Sequence, residues 1–207
     1  QRTVQLIRRN GTALLAVYEW IGELDALQAA ASYRESLAYY CEPVLEAAGE
    51  ASTKLVGEAM YHPLVEDPVP NSLTIGAQGI LITGSNMSGK STFLRTVAVN
   101  ALLAQTIYTC LAQSYRSLFV KLMTSIGRSD NIIEGKSYYL VEALSILRII
   151  KAIEAETQTA IMAVFDELYR GTNSEERIKA GCRVLRYAAQ PGTIILAATH
   201  DLELTKM

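Results

Sequence analysis

Apolar residues recur at helical spacing along the first part of the chain. They fall three or four positions apart at Leu14, Tyr18, Ile21, Leu24, Leu27 and Ala31, and no proline precedes Pro43. This spacing predicts one long amphipathic helix from Thr12 to about Tyr40. The pattern leaves open whether the apolar stripe is a packing face or the end of a lever that runs to another domain.

The pattern changes between Glu42 and Asn71, where prolines and glycines predict turns and short extended pieces. We place a boundary there, with a helical segment over 1–50 and a second domain over 51–207. Beyond it, short apolar runs alternate with helical stretches. The predicted strands are Ile80 to Thr83, Phe119 to Ile126, Ala160 to Phe165 and Thr193 to Ala198, and the predicted helices begin at Lys90, Ser137 and about Glu175. This alternation predicts an α/β fold with a mostly parallel central sheet flanked by helices.

The composition narrows the class of protein. Hydrophobic residues make up 50% of the chain and charged residues 19%, as in a soluble globular protein. The formal net charge of −2 gives no global excess of positive charge for a nucleic acid or a membrane surface. The uncharged stretch from Thr96 to Tyr115 is long enough to span a bilayer, but Asn100, Gln105 and Gln113 interrupt it. We therefore expect a buried core helix there and no membrane partner.

The cysteines point to a reducing compartment. Cys41, Cys110 and Cys182 lie far apart in the sequence and show no C-x-x-C spacing. This argues against a zinc site and against a disulfide framework, so a cytoplasmic location is the simplest expectation. Because the chain begins at Gln1 and shows no apolar signal core, we also expect it to be part of a longer protein.

The segment Gly84 to Ser91 reads GSNMSGKS and fits the phosphate-loop pattern G-x-x-x-x-G-K-[ST], with an apolar strand before it and a helix after it. The glycines let backbone N–H groups point at phosphate oxygens, and the helix N-terminus adds a partial positive charge. Lys90 is then a contact for the β- and γ-phosphates of ATP, and the Ser91 hydroxyl is a ligand for Mg²⁺. The expected nucleotide-binding positions are the eight residues of this segment and the next residue, namely Gly84, Ser85, Asn86, Met87, Ser88, Gly89, Lys90, Ser91 and Thr92.

Two further strand ends carry polar residues that a phosphate loop needs. The apolar run Ile161 to Phe165 ends in Asp166 and Glu167, and parallel sheets bind ligands at the carboxyl ends of their strands. Asp166 is predicted to hold Mg²⁺, directly or through water, and Glu167 to act as general base or to orient the attacking water. The last strand leads into His200, which could hydrogen-bond the γ-phosphate or that water.

Six segments in a fixed order resemble the ATPase domain of the MutS family. They are HPLVE (62–66), LITGSNMSGKSTFLR (81–95), LLAQ (102–105), EGKSYYLVE (134–142), DELYRGTNS (166–174) and ATHDLELT (198–205), and they span about two thirds of the chain. The resemblance implies an ABC-like P-loop ATPase that works as a homodimer, and it implies that the first helix is the end of the MutS lever segment.

The resemblance also implies further site residues. Ser137 lies at the signature position and would approach the γ-phosphate bound by the partner subunit. Asn86 matches an asparagine near the γ-phosphate, and His62 lies in the segment near the adenine. Gln105 resembles the glutamine of the ABC Q-loop, although a mid-helix glutamine can equally be a local packing residue.

Several positions depart from the family pattern. Ser85 and Ser88 stand where proline and glycine are usual, and Tyr169 stands where glycine is usual. The residues expected to perform the nucleotide chemistry are all present, so the departures concern the branch of the family. The resemblance implies DNA as a partner of the full-length protein, in mismatch repair or a related DNA transaction.

Two alternatives to this function remain. An ABC-type ATPase of another system would share the loop and both strand ends, but its usual L-S-G-G-Q signature is absent. A structural or interaction module gated by ATP, with little turnover, would not need Glu167.

Overall fold

The computed structural model describes residues 2–47, 54–76, 79–85, 87–127, 138–155, 158–169 and 173–206. The chain divides into two compact units, Gln1–Tyr39 and Tyr40–Met207.

The first unit is helical, with α1 over Arg2–Arg9 and α2 over Gly11–Ser36. The long helix is therefore present, and it ends where Leu37 adopts an extended backbone. The single apolar stripe that the spacing predicted is wrong. Because each residue turns by about 100° around α2, Asp25 and Gln28 lie on the side that carries Leu14, whereas Leu15 lies outside it. Leu14, Leu15, Val17 and Trp20 are all at least half exposed. Every residue of α2 is described, and none of them is buried.

The second unit alternates strands and helices. Within the described residues it runs β1 (Val44–Glu46), β2 (Leu55–Met60), β3 (Asn71–Ile75), β4 (Ile80–Thr83), α3 (Lys90–Thr106), β5 (Ser114–Leu118), β6 (Val120–Ser125), α4 (Tyr138–Ala155), β7 (Ala160–Asp166), α5 (Ser174–Ala188), β8 (Thr193–Thr199) and a 3-10 helix (Leu202–Lys206). Four of these strands form a sheet in the order β4-β8-β7-β6, and every pairing in it is parallel. The parallel sheet flanked by helices is confirmed.

The other four strands form a second sheet that the sequence did not predict. Its order is β1-β5-β2-β3, in which β5 pairs parallel to β1 and antiparallel to β2, and β2 pairs antiparallel to β3. The short extended pieces expected over residues 42–71 are β1, β2 and the first residue of β3, and what the sequence did not predict is that these strands pair into one sheet. A hydrogen bond of 2.7 Å from Lys54 Nζ to the Thr193 carbonyl links this sheet to the start of β8.

Two apolar clusters lie on opposite faces of the parallel sheet. Along β7, Met162 and Val164 belong to the cluster that contains α3 and the second sheet. Ile161, Ala163 and Phe165 alternate with them and belong to the cluster that contains α4 and α5. Because side chains alternate between the two faces of a strand, β7 is buried on both sides and its seven residues are all apolar except the last.

The uncharged stretch from Thr96 to Tyr115 forms the predicted buried helix only as far as Thr106, and its last residues form a connecting segment and the start of β5. Leu94, Val97 and Ala101 on α3 are at most 1% exposed. Among the helices that the structure describes, none is long and apolar enough to cross a membrane. The helix also carries a buried polar junction at Asn100, whose Oδ1 accepts the Leu111 N–H at 2.7 Å and whose Nδ2 donates to the Tyr61 carbonyl at 3.4 Å.

Two of the cysteines are neighbours, although they are far apart in sequence. Cys41 and Cys110 form an antiparallel bridge, and all three cysteines are free thiols. Burial raises the pKa of both the Cys41 and the Cys110 thiol.

Candidate functional site

The register of three parallel strands brings the predicted site residues to one edge of the sheet. Thr83 at the end of β4 lies opposite Thr199 at the end of β8, and Asp166 at the end of β7 lies opposite Ala198. The Glu167 N–H donates to the Ala198 carbonyl at 2.9 Å. Adjacent strands lie about 4.8 Å apart, so β4 and β7 are separated by roughly 10 Å with β8 between them. The loop after β4, the acidic pair after β7 and the histidine after β8 therefore share one edge.

The segment after β4 has the local geometry of a phosphate loop. Gly89 has a positive φ of 87° and stands immediately before the first residue of α3. Lys90 begins that helix, and its side chain folds back so that Nζ donates to the carbonyl oxygens of Gly84 and Ser85, each at 2.8 Å. The lysine is only 7% exposed. Its ammonium group is thus held inside the curl of the loop.

The N-terminus of α3 supplies backbone donors at the same place. The first N–H groups of a helix have no partner within the helix, and the helix dipole makes this end attractive to anions. Ser91 and Thr92 follow Lys90 in this first turn, Ser91 partly buried and Thr92 exposed. Ser85, Met87, Ser88 and Gly89 are exposed, and an added Cβ on Gly84 would lie 3.0 Å from Ser88 Oγ. Asn86 lies outside the described residues.

Asp166 and Glu167 end the buried strand β7 with two carboxylates. Asp166 is 7% exposed, and its Oδ1 has no hydrogen-bond partner among the residues that the structure describes. A buried carboxylate oxygen of this kind normally has a partner, and a hard cation or a water bound to it would provide one. The residues therefore fit a Mg²⁺ site. Glu167 has a positive φ of 53°, so the chain turns sharply immediately after β7.

His200 lies between two carboxylates. Its Nδ1 is 3.7 Å from Glu167 Oε2, and its Nε2 is 3.8 Å from Asp201 Oδ1. Both distances are too long for direct hydrogen bonds. The histidine side chain is 39% exposed and that of Glu167 is 12% exposed. The structure thus brings together the two residues that the sequence proposed as base and phosphate contact.

An ion pair beside these groups was missed at the level of sequence. Arg177 on α5 donates from Nε to Asp201 Oδ2 at 2.7 Å and from Nη2 to Asp201 Oδ1 at 2.6 Å. The hydrogen bond from Arg177 holds the pKa of Asp201 below its ordinary value, and Asp201 raises the pKa of Arg177. In the sequence, the only sign of a role for Asp201 was its position next to His200. Its pairing with Arg177 could not be predicted, because the fold brings α5 and this turn together.

The family resemblance also assigned roles to His62, Ser137 and Gln105, and the structure bears differently on each of them. His62 accepts the Leu64 N–H on Nδ1 at 3.2 Å, and burial together with the charge of Arg95 on α3 lowers its pKa. Its proposed place near the adenine stays a prediction. Ser137 lies outside the described residues, so the prediction for it also stands untested.

The Q-loop interpretation of Gln105 is wrong. Its Oε1 accepts the Val120 N–H at 2.8 Å, and its Nε2 donates to the Ala101 carbonyl at 3.1 Å. Gln105 lies 15 residues after Lys90 on the same helix, which places it about 22 Å away along the axis. It is therefore a packing residue that joins α3 to β6.

The structure gives a physical account of the unusual Tyr169. Its φ is +60°, in the left-handed region that favours glycine. Its backbone N–H donates to Glu142 Oε1 on α4, and its ring packs against the apolar cluster that contains α4 and α5. These contacts stabilise a backbone conformation that a glycine would adopt more easily.

Comparison with known proteins gives a consistent result. The family model for MutS domain V matches residues 80–207. The chain is 34% identical over 204 residues to the DNA mismatch repair protein MutS of Thermus aquaticus, which covers 97% of this chain and 24% of that protein. It is also 34% identical over 197 residues to the protein of the same name from Staphylococcus haemolyticus (strain JCSC1435), with coverage of 90% and 21%. The chain spans about a quarter of the length of the curated relatives it matches.

Proposed function

The chain belongs to the MutS family, and we propose that it binds ATP with Mg²⁺ and hydrolyses the bond between the β- and γ-phosphates. The observation that carries this proposal is the common edge of β4, β8 and β7, where the phosphate loop, the acidic pair and His200 meet. Such an edge is where open α/β sheets bind their ligands.

The phosphate loop is proposed to bind the nucleotide. Lys90 exchanges its two bonds to loop carbonyls for bonds to the β- and γ-phosphates, while the N-terminus of α3 donates from its backbone. Ser91 Oγ and Asp166 Oδ1 would hold Mg²⁺, which when bound neutralises charge on the phosphate oxygens. The remaining proposed contacts are Gly84, Ser85, Asn86, Met87, Ser88, Gly89, Thr92 and His62.

Glu167 and His200 are proposed to carry the hydrolysis. Glu167 accepts a proton from water as the water oxygen bonds to the γ-phosphorus, and the bond from that phosphorus to the bridging oxygen of ADP breaks. His200 donates a hydrogen bond to the γ-phosphate or to the water. His200 Nδ1 and Glu167 Oε2 are 3.7 Å apart, which supports the proposal that both side chains contact the same attacking water.

The direct test compares wild type with Glu167→Gln, which keeps the shape of the side chain and removes the base. We expect the rate of ATP hydrolysis to fall on the order of 100-fold or more, while ATP affinity stays within a few fold. Glu203→Gln is the matched control, because Glu203 is an exposed carboxylate in the adjacent 3-10 helix. If wild type hydrolyses ATP no faster than Glu167→Gln while both bind ATP, the proposed ATPase activity is wrong. A structural or interaction module gated by ATP is then favoured.

We further propose that a second copy completes each nucleotide site through Ser137, and that hydrolysis opens and closes this dimer and its grip on DNA. The printed name of the relatives, DNA mismatch repair protein MutS, supports this use of ATP. The net charge of −2 favours DNA contact through other parts of the full-length protein.

Mixing two inactive variants tests the shared site. Lys90→Ala removes the phosphate contact in one copy, and Ser137→Ala removes the group offered to the other copy. A mixed dimer then retains one complete site, so an equal mixture should recover roughly a quarter of wild-type turnover. No recovery in a mixture that forms mixed dimers would contradict completion by the partner.

A further inference from the structure

We infer that Arg177 is a positioning residue for His200, an inference that rests on the proposed ATP hydrolysis. By binding both carboxylate oxygens of Asp201, Arg177 prevents Asp201 from capturing the imidazole. His200 therefore remains able to interact with Glu167 and with the bound nucleotide.

The ion pair is well suited to hold a side chain in place. Its two charge-assisted hydrogen bonds, of 2.6 and 2.7 Å, are in the bidentate arrangement that fixes both partners. The side chains of Arg177 and Asp201 are only 14% and 9% exposed. A pair so far removed from water is screened little by solvent or salt. The pair therefore ties α5 to the turn that follows β8.

The same turn carries His200. The Asp201 N–H donates to Thr199 Oγ1 at 3.0 Å, and the Asp201 carbonyl accepts the Leu204 N–H at 3.2 Å. His200 thus lies between the last residue of β8 and an aspartate held by its backbone and by both side-chain oxygens. The position of the imidazole therefore depends on which group the carboxylate of Asp201 binds.

The distances define a competition between two carboxylates. His200 Nε2 is 3.8 Å from Asp201 Oδ1, and His200 Nδ1 is 3.7 Å from Glu167 Oε2. A small rotation would bring the imidazole into a hydrogen bond with either side. In wild type both Asp201 oxygens already bind Arg177, so the balance favours Glu167. Without Arg177, a nearly buried carboxylate would need a new donor, and the imidazole is within reach.

The charges support this reasoning. Arg177 holds the pKa of Asp201 low, so the carboxylate stays ionised at neutral pH. The charge of Glu167 also contributes to the raised pKa of Arg177, which shows that the guanidinium is electrostatically close to the proposed base. Without Arg177, the imidazole of His200 would lie between the carboxylates of Glu167 and Asp201, and the charge of Asp201 would no longer be paired with an arginine.

The test uses Arg177→Met, Asp201→Asn and the double variant in the full-length protein, at a temperature where melting curves show all of them folded. We expect Arg177→Met to lower kcat for ATP hydrolysis about 10-fold or more, with KM within about threefold. Adding Asp201→Asn removes the competing charge, so the double variant should return to within about threefold of wild type. Lys179→Met is the control, because Lys179 forms an exposed ion pair with Glu175 on the same helix.

A purely structural ion pair gives a different result. It would lower the melting temperature of Arg177→Met and leave kcat of the folded protein unchanged, and that result overturns the inference. A double variant no faster than Arg177→Met also overturns it, while wild-type turnover leaves the proposed function intact. No turnover in wild type overturns both. Arg177→Gln, which can keep one hydrogen bond to Asp201, replaces Arg177→Met if the latter does not fold.

Discussion

Cys41 and Cys110 lie directly opposite each other, and each donates its backbone N–H to the carbonyl oxygen of the other at 2.9 Å. They are 69 residues apart in the chain, yet they share one buried neighbourhood with Tyr115. Burial raises the pKa of all three acids, and the nearby thiols raise the pKa of Tyr115 further. The three groups are therefore held in their protonated forms by the fold.

This cluster predicts a loss of stability at alkaline pH. In the unfolded chain the cysteines ionise near pH 8.5, whereas the native thiols keep their protons. The unfolded state then binds fewer protons, so the stabilisation is complete below about pH 8.5 and is lost as the pH rises towards the native pKa values. The free energy of unfolding in urea, measured from pH 7 to pH 10, should fall more steeply for wild type than for Cys110→Ala. Burial lowers the pKa of Lys54, which acts in the opposite direction but equally in both proteins. Parallel curves would contradict the prediction.

The ion pair of Asp201 predicts a separate loss of stability in acid. Its pKa is lowered in the native state, so the contribution is present above the ordinary aspartate pKa of about 3.9 and is lost as the pH falls below it. Urea unfolding between pH 6 and pH 2 should show a steeper decline for wild type than for Asp201→Asn. Glu175→Gln, in an exposed pair on α5, serves as the control and should follow wild type.

Asn100 is predicted to be a strong determinant of stability. It is fully buried and binds the backbone of Leu111 and Tyr61. Asn100→Leu has a similar volume but leaves these backbone groups without partners, so we expect a destabilisation of about 2–4 kcal/mol. Gln113→Leu changes an exposed amide and should cost less than about 0.5 kcal/mol. Equal unfolding midpoints for the two variants would show that the junction contributes little.

Two glycines are predicted to respond in opposite directions to alanine. An added Cβ at Gly79 would lie 2.7 Å from Ile195 Cβ, so Gly79→Ala should push β4 away from β8 and cost on the order of 1–3 kcal/mol. An added Cβ at Gly22 on α2 would meet nothing within 4 Å, and Gly22→Ala should stabilise that helix by up to about 1 kcal/mol. Thermal melting followed by circular dichroism would show both shifts. A higher melting temperature for Gly79→Ala would be inconsistent with the close approach of the strands.

The local features of the edge shared by β4, β7 and β8 could be predicted from the sequence. Ile80 to Thr83 and Ala160 to Phe165 are nearly continuous apolar runs, which is the signature of parallel strands buried on both faces. In the phosphate loop, the glycines allow the backbone to curl and Lys90 supplies a positive charge, and all of these residues lie within eight positions of one another. Such features depend on neighbours in the chain, and the sequence states them directly.

Most of the features that the sequence did not predict depend on partners that are distant in the chain. The second sheet pairs β1 with β5, and the bridge between Cys41 and Cys110 and the ion pair between Arg177 and Asp201 likewise join segments far apart in the chain. The apolar residues of α2 were assigned to one stripe because only every third or fourth position was considered. Leu15 falls outside that stripe, and the polar residues Asp25 and Gln28 fall within it.

The turn at Pro191 and Gly192 offers a practical attachment point. It is exposed and precedes β8, whose seven residues place it roughly 20 Å from the edge where that strand meets Glu167. A fluorophore or an immobilisation tag carried on this turn would report on the protein from the opposite end of the sheet. The opening and closing that we propose for a dimer could then be followed by energy transfer between two labels, without any modification of the phosphate loop.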